Sequence, residues 1–240
     1  MILLRSFVLI CATVIAARAD TLTSRGTALL AEGRIKEAVA LLDKALKADP
    51  KNAAARANRA TARYKLGDWD GAISDFEAST LPAKVKRTLS VSISDAHYRR
   101  ALFLIDKGSA AAAAQDLYAA VKLDRKNALA YCELGTLAVN QGQADTAIGY
   151  LDRALSLDKD RPEAYASRAA ARFALGRGAQ ALEDIDRAIF LQPQTALFFA
   201  SRARIGESLG NRAQSLKDAR RAVELDPALD HPLASILNKR

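Results

Sequence analysis

Amphipathic runs follow one another along this chain, and six glycines punctuate them: Gly33, Gly67, Gly108, Gly142, Gly176 and Gly210. Their spacings are 34, 41, 34, 34 and 34 residues. Each glycine closes one apolar-periodic run and precedes the next. A helix ends at such a point, and the chain takes a left-handed turn that glycine adopts without steric cost. A fixed period of this size predicts stacked supersecondary units, here six helix-turn-helix repeats.

Positions counted from the glycines support this reading. Seven residues before them stand Gly26, Ala60, Ala101, Gly135, Ala169 and Ala203. Five after stand Ala38, Ala72, Ala113, Ala147, Ala181 and Ser215, and twelve after stand Ala45, Ser79, Ala120, Ala154, Ala188 and Ala222. All are small, as two closely nested helices require. Nine after, on the same face of the second helix, Leu42, Phe76, Leu117, Leu151 and Ile185 form larger apolar plugs, with Ala219 in the last repeat.

The pattern resembles the tetratricopeptide repeat family. The segments that carry it best are GRIKEAVALLDKALKADP (33–50), YCELGTLAVNQGQADTAIGYLDRALSLD (131–158) and YASRAAARFALGRGAQALEDIDRAIFLQP (165–193). The resemblance implies an all-α, right-handed solenoid of six helix-turn-helix repeats. Their bounds are about 20–52, 53–86, 94–127, 128–161, 162–195 and 196–229, with 230–240 as a tail or capping segment. The family's first aromatic slot, eleven before each glycine, holds Leu22, Arg56, His97, Tyr131, Tyr165 and Phe199, with no tryptophan. The longer spacing puts seven extra residues in or near 82–92, either as a loop or as a longer first helix of repeat three.

One charged pair recurs. Eight before the glycines lie Arg25, Arg59, Arg100, Leu134, Arg168 and Arg202; eight after lie Leu41, Asp75, Asp116, Tyr150, Asp184 and Asp218. Where leucine replaces arginine, tyrosine replaces aspartate. Arg–Asp bridges are therefore predicted between the two helices of repeats two, three, five and six, with arginine chosen for bidentate geometry. Recurrence at one slot marks these carboxylates as architecture rather than catalysis.

The resemblance also implies that the first helices line a concave face that binds a protein or peptide. Its slots hold Tyr64 and Lys65; Tyr98, Leu102 and Ile105; Val139 and Asn140; Phe173; and Arg204. Asn58 and Arg99 match two of the five residues with which one subfamily holds a peptide carboxylate. The other three places hold Thr23, Thr27 and Asp95, so that clamp is not expected. The apolar members of this set have a second reading, as packing between repeats.

Composition and the chain's start refine the picture. Half of the residues are hydrophobic but only 6% aromatic, with alanine prominent, which suits close helix packing. Residues 1–19 read as a cleaved secretory signal. Arg5 is followed by a short apolar run and the small-x-small site Ala17-Arg18-Ala19, so the mature chain would begin at Asp20. The run is too short for a stable membrane span. The expected location is therefore periplasmic or secreted. Cleavage removes two arginines and no acid from a formal charge of +9. The remaining excess is spread out and steers weakly toward acidic partners. No stacking platform or reading motif for nucleic acid accompanies it.

Cys132 alone survives cleavage, so packing rather than a disulfide must hold the fold. His97 and His231 lack metal-ligand spacing, and no phosphate loop or nucleophile elbow is present. No cofactor or metal is expected. The reading is a non-catalytic scaffold or adaptor of the cell envelope; the alternative is a structural or self-assembling subunit of a larger envelope complex.

Overall fold

The computed structural model describes residues 2–78 and 81–238, with side chains from Ala17 onward. Every regular element among them is helical. The chain divides into two compact units, Met1–Arg125 and Lys126–Arg240. The first holds three helix pairs: α1 (Ile2–Ala31) with α2 (Ile35–Ala48), α3 (Ala53–Leu66) with α4 (Trp69–Glu77), and α5 (Ala83–Asp106) with α6 (Ala110–Leu123). The second holds α7 (Ala128–Asn140) with α8 (Ala144–Leu157), α9 (Pro162–Ala174) with α10 (Gly178–Leu191), and α11 (Ala196–Ser208) with α12 (Arg212–Leu225). A 3-10 turn, Pro227–Leu229, then leads into α13 (Asp230–Leu237).

The turns form where the glycine spacing puts them. All six punctuating glycines have φ between 72° and 82°, and no other described residue has a positive φ. After each glycine the next N–H reaches back into the last turn of the helix, as from Asp68 to the Arg63 carbonyl at 3.0 Å and from Gln143 to the Ala138 carbonyl at 2.9 Å. These bonds satisfy carbonyls that the ending helix leaves open. Starts are marked as well: the Asn52 and Asn127 side chains accept from the Ala55 and Ala130 amides at 2.9 and 3.0 Å. Both are N-caps.

The small residues do the nesting expected of them. Ala38, Ala72, Ala113, Ala147 and Ala181 are fully buried, and so is Ser215. Leu42, Leu117, Leu151 and Ile185 are fully buried plugs. In repeat four a Cβ added at Gly135 would lie 2.4 Å from Leu151 Cγ, against 2.9 Å from Leu42 at Gly26, so Leu151 would have to shift to admit a side chain there. Ser79, expected among the small residues, lies outside the described residues.

The extra residues between repeats two and three are helical. They lengthen α5 to 24 residues, against 13 or 14 for α3, α7, α9 and α11. Val85 and Leu89 on the added turns pack against a cluster of Ala72, Ile73, Phe76, Leu81 and Ile93. The gain exceeds the seven-residue insertion because α4 stops at nine residues, where the other second helices have 14.

The four predicted Arg–Asp bridges are all present and bidentate. Arg59 meets Asp75 at 2.8 and 2.6 Å, Arg100 meets Asp116 at 2.7 and 2.6 Å, Arg168 meets Asp184 at 2.9 and 2.7 Å, and Arg202 meets Asp218 at 2.8 and 2.7 Å. The aspartates are buried, between 2% and 5% exposed. The structure adds a second acid to each arginine. The remaining guanidinium arm reaches Asp43 from Arg59, Asp70 from Arg100, Asp152 from Arg168 and Asp186 from Arg202, at 2.6–2.7 Å. Each of these second acids comes from the second helix of the preceding repeat. One arginine thus ties three helices together.

The aromatic slot serves the same lock. Arg168 and Arg202 lie over the Tyr165 and Phe199 rings, 5.5 and 5.6 Å from their centroids. Where the ring is missing in repeat three, His97 Nδ1 instead meets Asp116 Oδ1 at 2.8 Å. His97 is buried, as a core role at that slot requires. Burial alone would push the Asp116 carboxyl up, but the hydrogen bonds from Arg100 and His97 outweigh it and hold it below the usual carboxylate range.

Candidate protein-binding surface

The residues expected to line the binding face sit on the first helices of the pairs, and they divide by exposure. Lys65 on α3, Arg99 and Leu102 on α5, Asn140 on α7, Phe173 on α9 and Arg204 on α11 are exposed. Asn58, Tyr64, Tyr98, Ile105 and Val139 are half-buried. Tyr64 packs against the cluster around Ile73 and Phe76, and Val139 against the one around Leu151 and Leu155. For these two, packing between helices is the larger role.

In the first unit the polar residues of the set form two hydrogen-bonded groups. Asn58 Nδ2 donates to Thr27 Oγ1 at 2.6 Å, joining α3 to α1. The Tyr64 hydroxyl donates to Asp95 Oδ2 at 2.7 Å, joining α3 to α5, and Arg99 Nε donates to the same oxygen. Burial and the acceptor Asp95 push the Tyr64 hydroxyl's pKa up. Asn58 and Arg99 are each engaged within the chain, Asn58 with α1 and Arg99 within α5. Asp95, in the place of a clamp residue, supplies a negative charge where a bound carboxylate would need a positive one.

In the second unit a hydroxyl pair, Thr136 Oγ1 and Ser167 Oγ at 2.9 Å, links α7 to α9. Its members occupy the same two slots as Thr27 and Asn58, so it belongs to the packing of first helices on one another. Cys132 on α7 is 4% exposed, and burial pushes its thiol up to about 12. Its neighbour Glu133 is also pushed up, first by burial and then by the charge of Glu163.

Among the described residues eight exposed large apolar side chains lie outside the expected set; the most exposed are Phe190 on α10 at 74%, Leu197 on α11 and Val91 on α5 at 62%, and Phe103 on α5 at 53%. Lys107 lies 5.5 Å from the Phe103 ring centroid, and Arg187 lies 5.1 Å from that of Phe190. No repeating slot singles these residues out. Bulk at these slots gave no signal either, since other repeats place Leu137 and Ile205, Leu81, and Leu129 at the slots of Phe103, Phe190 and Leu197.

Helix pairs locked to their neighbours, with exposed side chains left along the first helices, define a repeat-built scaffold. Tetratricopeptide repeat families match residues 29–77, 94–127 and 132–196. The chain belongs to the tetratricopeptide repeat family, whose fold generally mediates protein–protein interaction. A comparison with curated proteins gives no match. Among solved structures, the chain is similar to the C-terminal part of a tetratricopeptide repeat-containing protein from Cytophaga hutchinsonii. That likeness has 19% identity and a TM-score of 0.58, over 90% of this chain and 83% of the other. It is similar to MamA at 24% identity and a TM-score of 0.53, over 70% of this chain and 95% of that one. It is also similar to YrrB, described as a TPR protein with an unusual peptide-binding site, at 21% identity and a TM-score of 0.50, over 72% and 85%. At these identities the likeness is one of fold.

Proposed function

We propose that this chain is a non-catalytic scaffold of the cell envelope that binds a protein or peptide along the first-helix side of its repeats. The observation that carries the reading is the set of first-helix side chains not consumed by packing. Lys65 and Leu102 serve in the first unit, and Asn140, Phe173 and Arg204 in the second. Exposed apolar groups with charged neighbours suit an extended or helical segment anchored at a few points.

Export through residues 1–19 is part of the proposal. The side chains of the apolar run lie outside the described residues, so the support comes from helix length. Helices α3, α7, α9 and α11 begin fourteen residues before their glycine, and the corresponding residue in α1 is Ala19. Cleavage after Ala19 leaves the first repeat a helix of ordinary length, starting at Asp20. Among the described residues no helix is long and apolar enough to cross a membrane.

Two measurements test this. Affinity capture from an envelope extract, repeated with Leu102→Ala and Phe173→Ala, is expected to lose bound proteins in at least one variant. Retention of the same proteins by both would remove the first-helix assignment. Amino-terminal sequencing of the expressed protein is expected to begin at Asp20; an intact Met1 would remove the export reading.

A further inference from the structure

Arg25 occupies, on α1, the slot held by Arg59, Arg100, Arg168 and Arg202 on the other first helices. Each of those arginines takes one acid from its own second helix and another from the preceding repeat. Arg25 has neither. Leu41 stands where its own aspartate would be, and α1 with α2 is the first pair of the described array. Arg25 is exposed and makes no hydrogen bond or ion pair among the described residues.

The surface around it is shaped and charged. Two open cavities, of about 430 and 730 Å³, share Arg25 and Leu41 in their walls. Leu22 and Leu29 extend the apolar floor, and Lys44 and Lys47 line the larger cavity beside Arg25. The acids at the far edge, Glu32 and Glu37, are held by Arg34 at 3.3 and 2.6 Å, so they do not neutralise Arg25.

We propose that this face of the first repeat receives an acidic amphipathic helix from a partner protein, whose carboxylate takes the place at Arg25 that Asp43, Asp152 and Asp186 take at the later arginines. The incoming helix lies where the second helix of a preceding repeat would lie. Its apolar stripe covers Leu22, Leu29 and Leu41, and its acids meet Arg25, Lys44 and Lys47. A second copy of this chain is the wrong occupant on charge. Its last second helix, α12, carries Arg220 in the slot corresponding to Asp152. The apolar face of that helix is also covered, because Leu233 and Ile236 of α13 pack on Ala219 and Ala222.

The protein's own helix supplies a probe. A labelled peptide of sequence ADTAIGYLDRALSLD (residues 144–158) carries Asp152 on an amphipathic helix. Fluorescence anisotropy with the chain as recovered from its expression host is expected to show saturable binding. Arg25→Ala in the protein and Asp152→Asn in the peptide should each weaken it by about tenfold or more, with little further loss when combined. Far-UV circular dichroism confirms that Arg25→Ala stays folded. Equal affinity for wild type and Arg25→Ala would overturn the proposal, as would no binding at millimolar peptide. Self-association abolished by Arg25→Ala would replace the partner with a second copy. Binding to vesicles of anionic lipid, lost in Arg25→Ala and without peptide binding, would replace it with a membrane surface.

Discussion

At the scale of single residues, the aspartates eight places after the turn glycines carry the greatest consequence. Each is a charge nearly removed from water and made tolerable by a two-point arginine contact. Removing one partner strands the other. Arg202→Leu leaves Asp218 buried with only the Gln214 amide, at 2.9 Å, to hold it. The expected cost is about 3–5 kcal/mol in urea unfolding followed by circular dichroism. Repeat four shows how the same place is filled without charge, by Leu134 and Tyr150. Arg202→Leu with Asp218→Tyr should therefore cost clearly less than Arg202→Leu alone; an equal or larger cost would contradict the lock.

The lock in repeat three has a pH signature. The Asp116 carboxyl ionises below its ordinary range when folded and near pH 4 when unfolded. Its stabilising contribution is therefore complete above about pH 4 and drains as pH falls toward the depressed folded value. The acid limb of a stability–pH curve should be flatter in Asp116→Asn than in the wild type. Identical limbs would mean that the pair contributes nothing to the dependence.

At the scale of elements, the glycine spacing was sufficient to place the turns, because only a left-handed residue can close a helix so tightly at each of them. The predicted Arg–Asp partners were legible for a similar reason: they recur in phase and covary in repeat four. The second acids were not recognised, although Asp43, Asp152 and Asp186 share one slot. Asp70, which serves Arg100, sits at another slot and breaks the series. The form of the insertion was also not legible, since a polar stretch of that length suits either a loop or a helix. Packing decides it, through Leu81, Val85 and Leu89. Leu81, 4% exposed, should cost about 2–5 kcal/mol when changed to alanine, whereas exposed Lys84→Ala should stay within about 0.5 kcal/mol. Small effects from both in thermal or urea unfolding would return the segment to the status of a tolerated insertion. The binding face was legible only as slots. Which side chains remain exposed depends on neighbouring helices, and that consigned Tyr64 and Val139 to packing while leaving Leu102 and Phe173 free.

At the scale of the whole molecule, stability within each unit is the sum of many similar contacts between adjacent helices, with no single central core among the described residues. The buried clusters are separate, each built from one or two neighbouring pairs. In such an array damage stays local. Amide exchange in Arg202→Leu should accelerate in α11 and α12 while α3 and α4 keep their protection. Uniform acceleration through the chain would indicate one cooperative block.

The arginine arm that reaches backward also bears on how such a chain can gain or lose cassettes. Excising residues 162–195 would bring Arg202 into the register of Arg168, opposite Asp152, so a shortened chain would join with its ionic pairing intact. Loss of this cassette within the second unit thus leaves no stranded charge at the new seam.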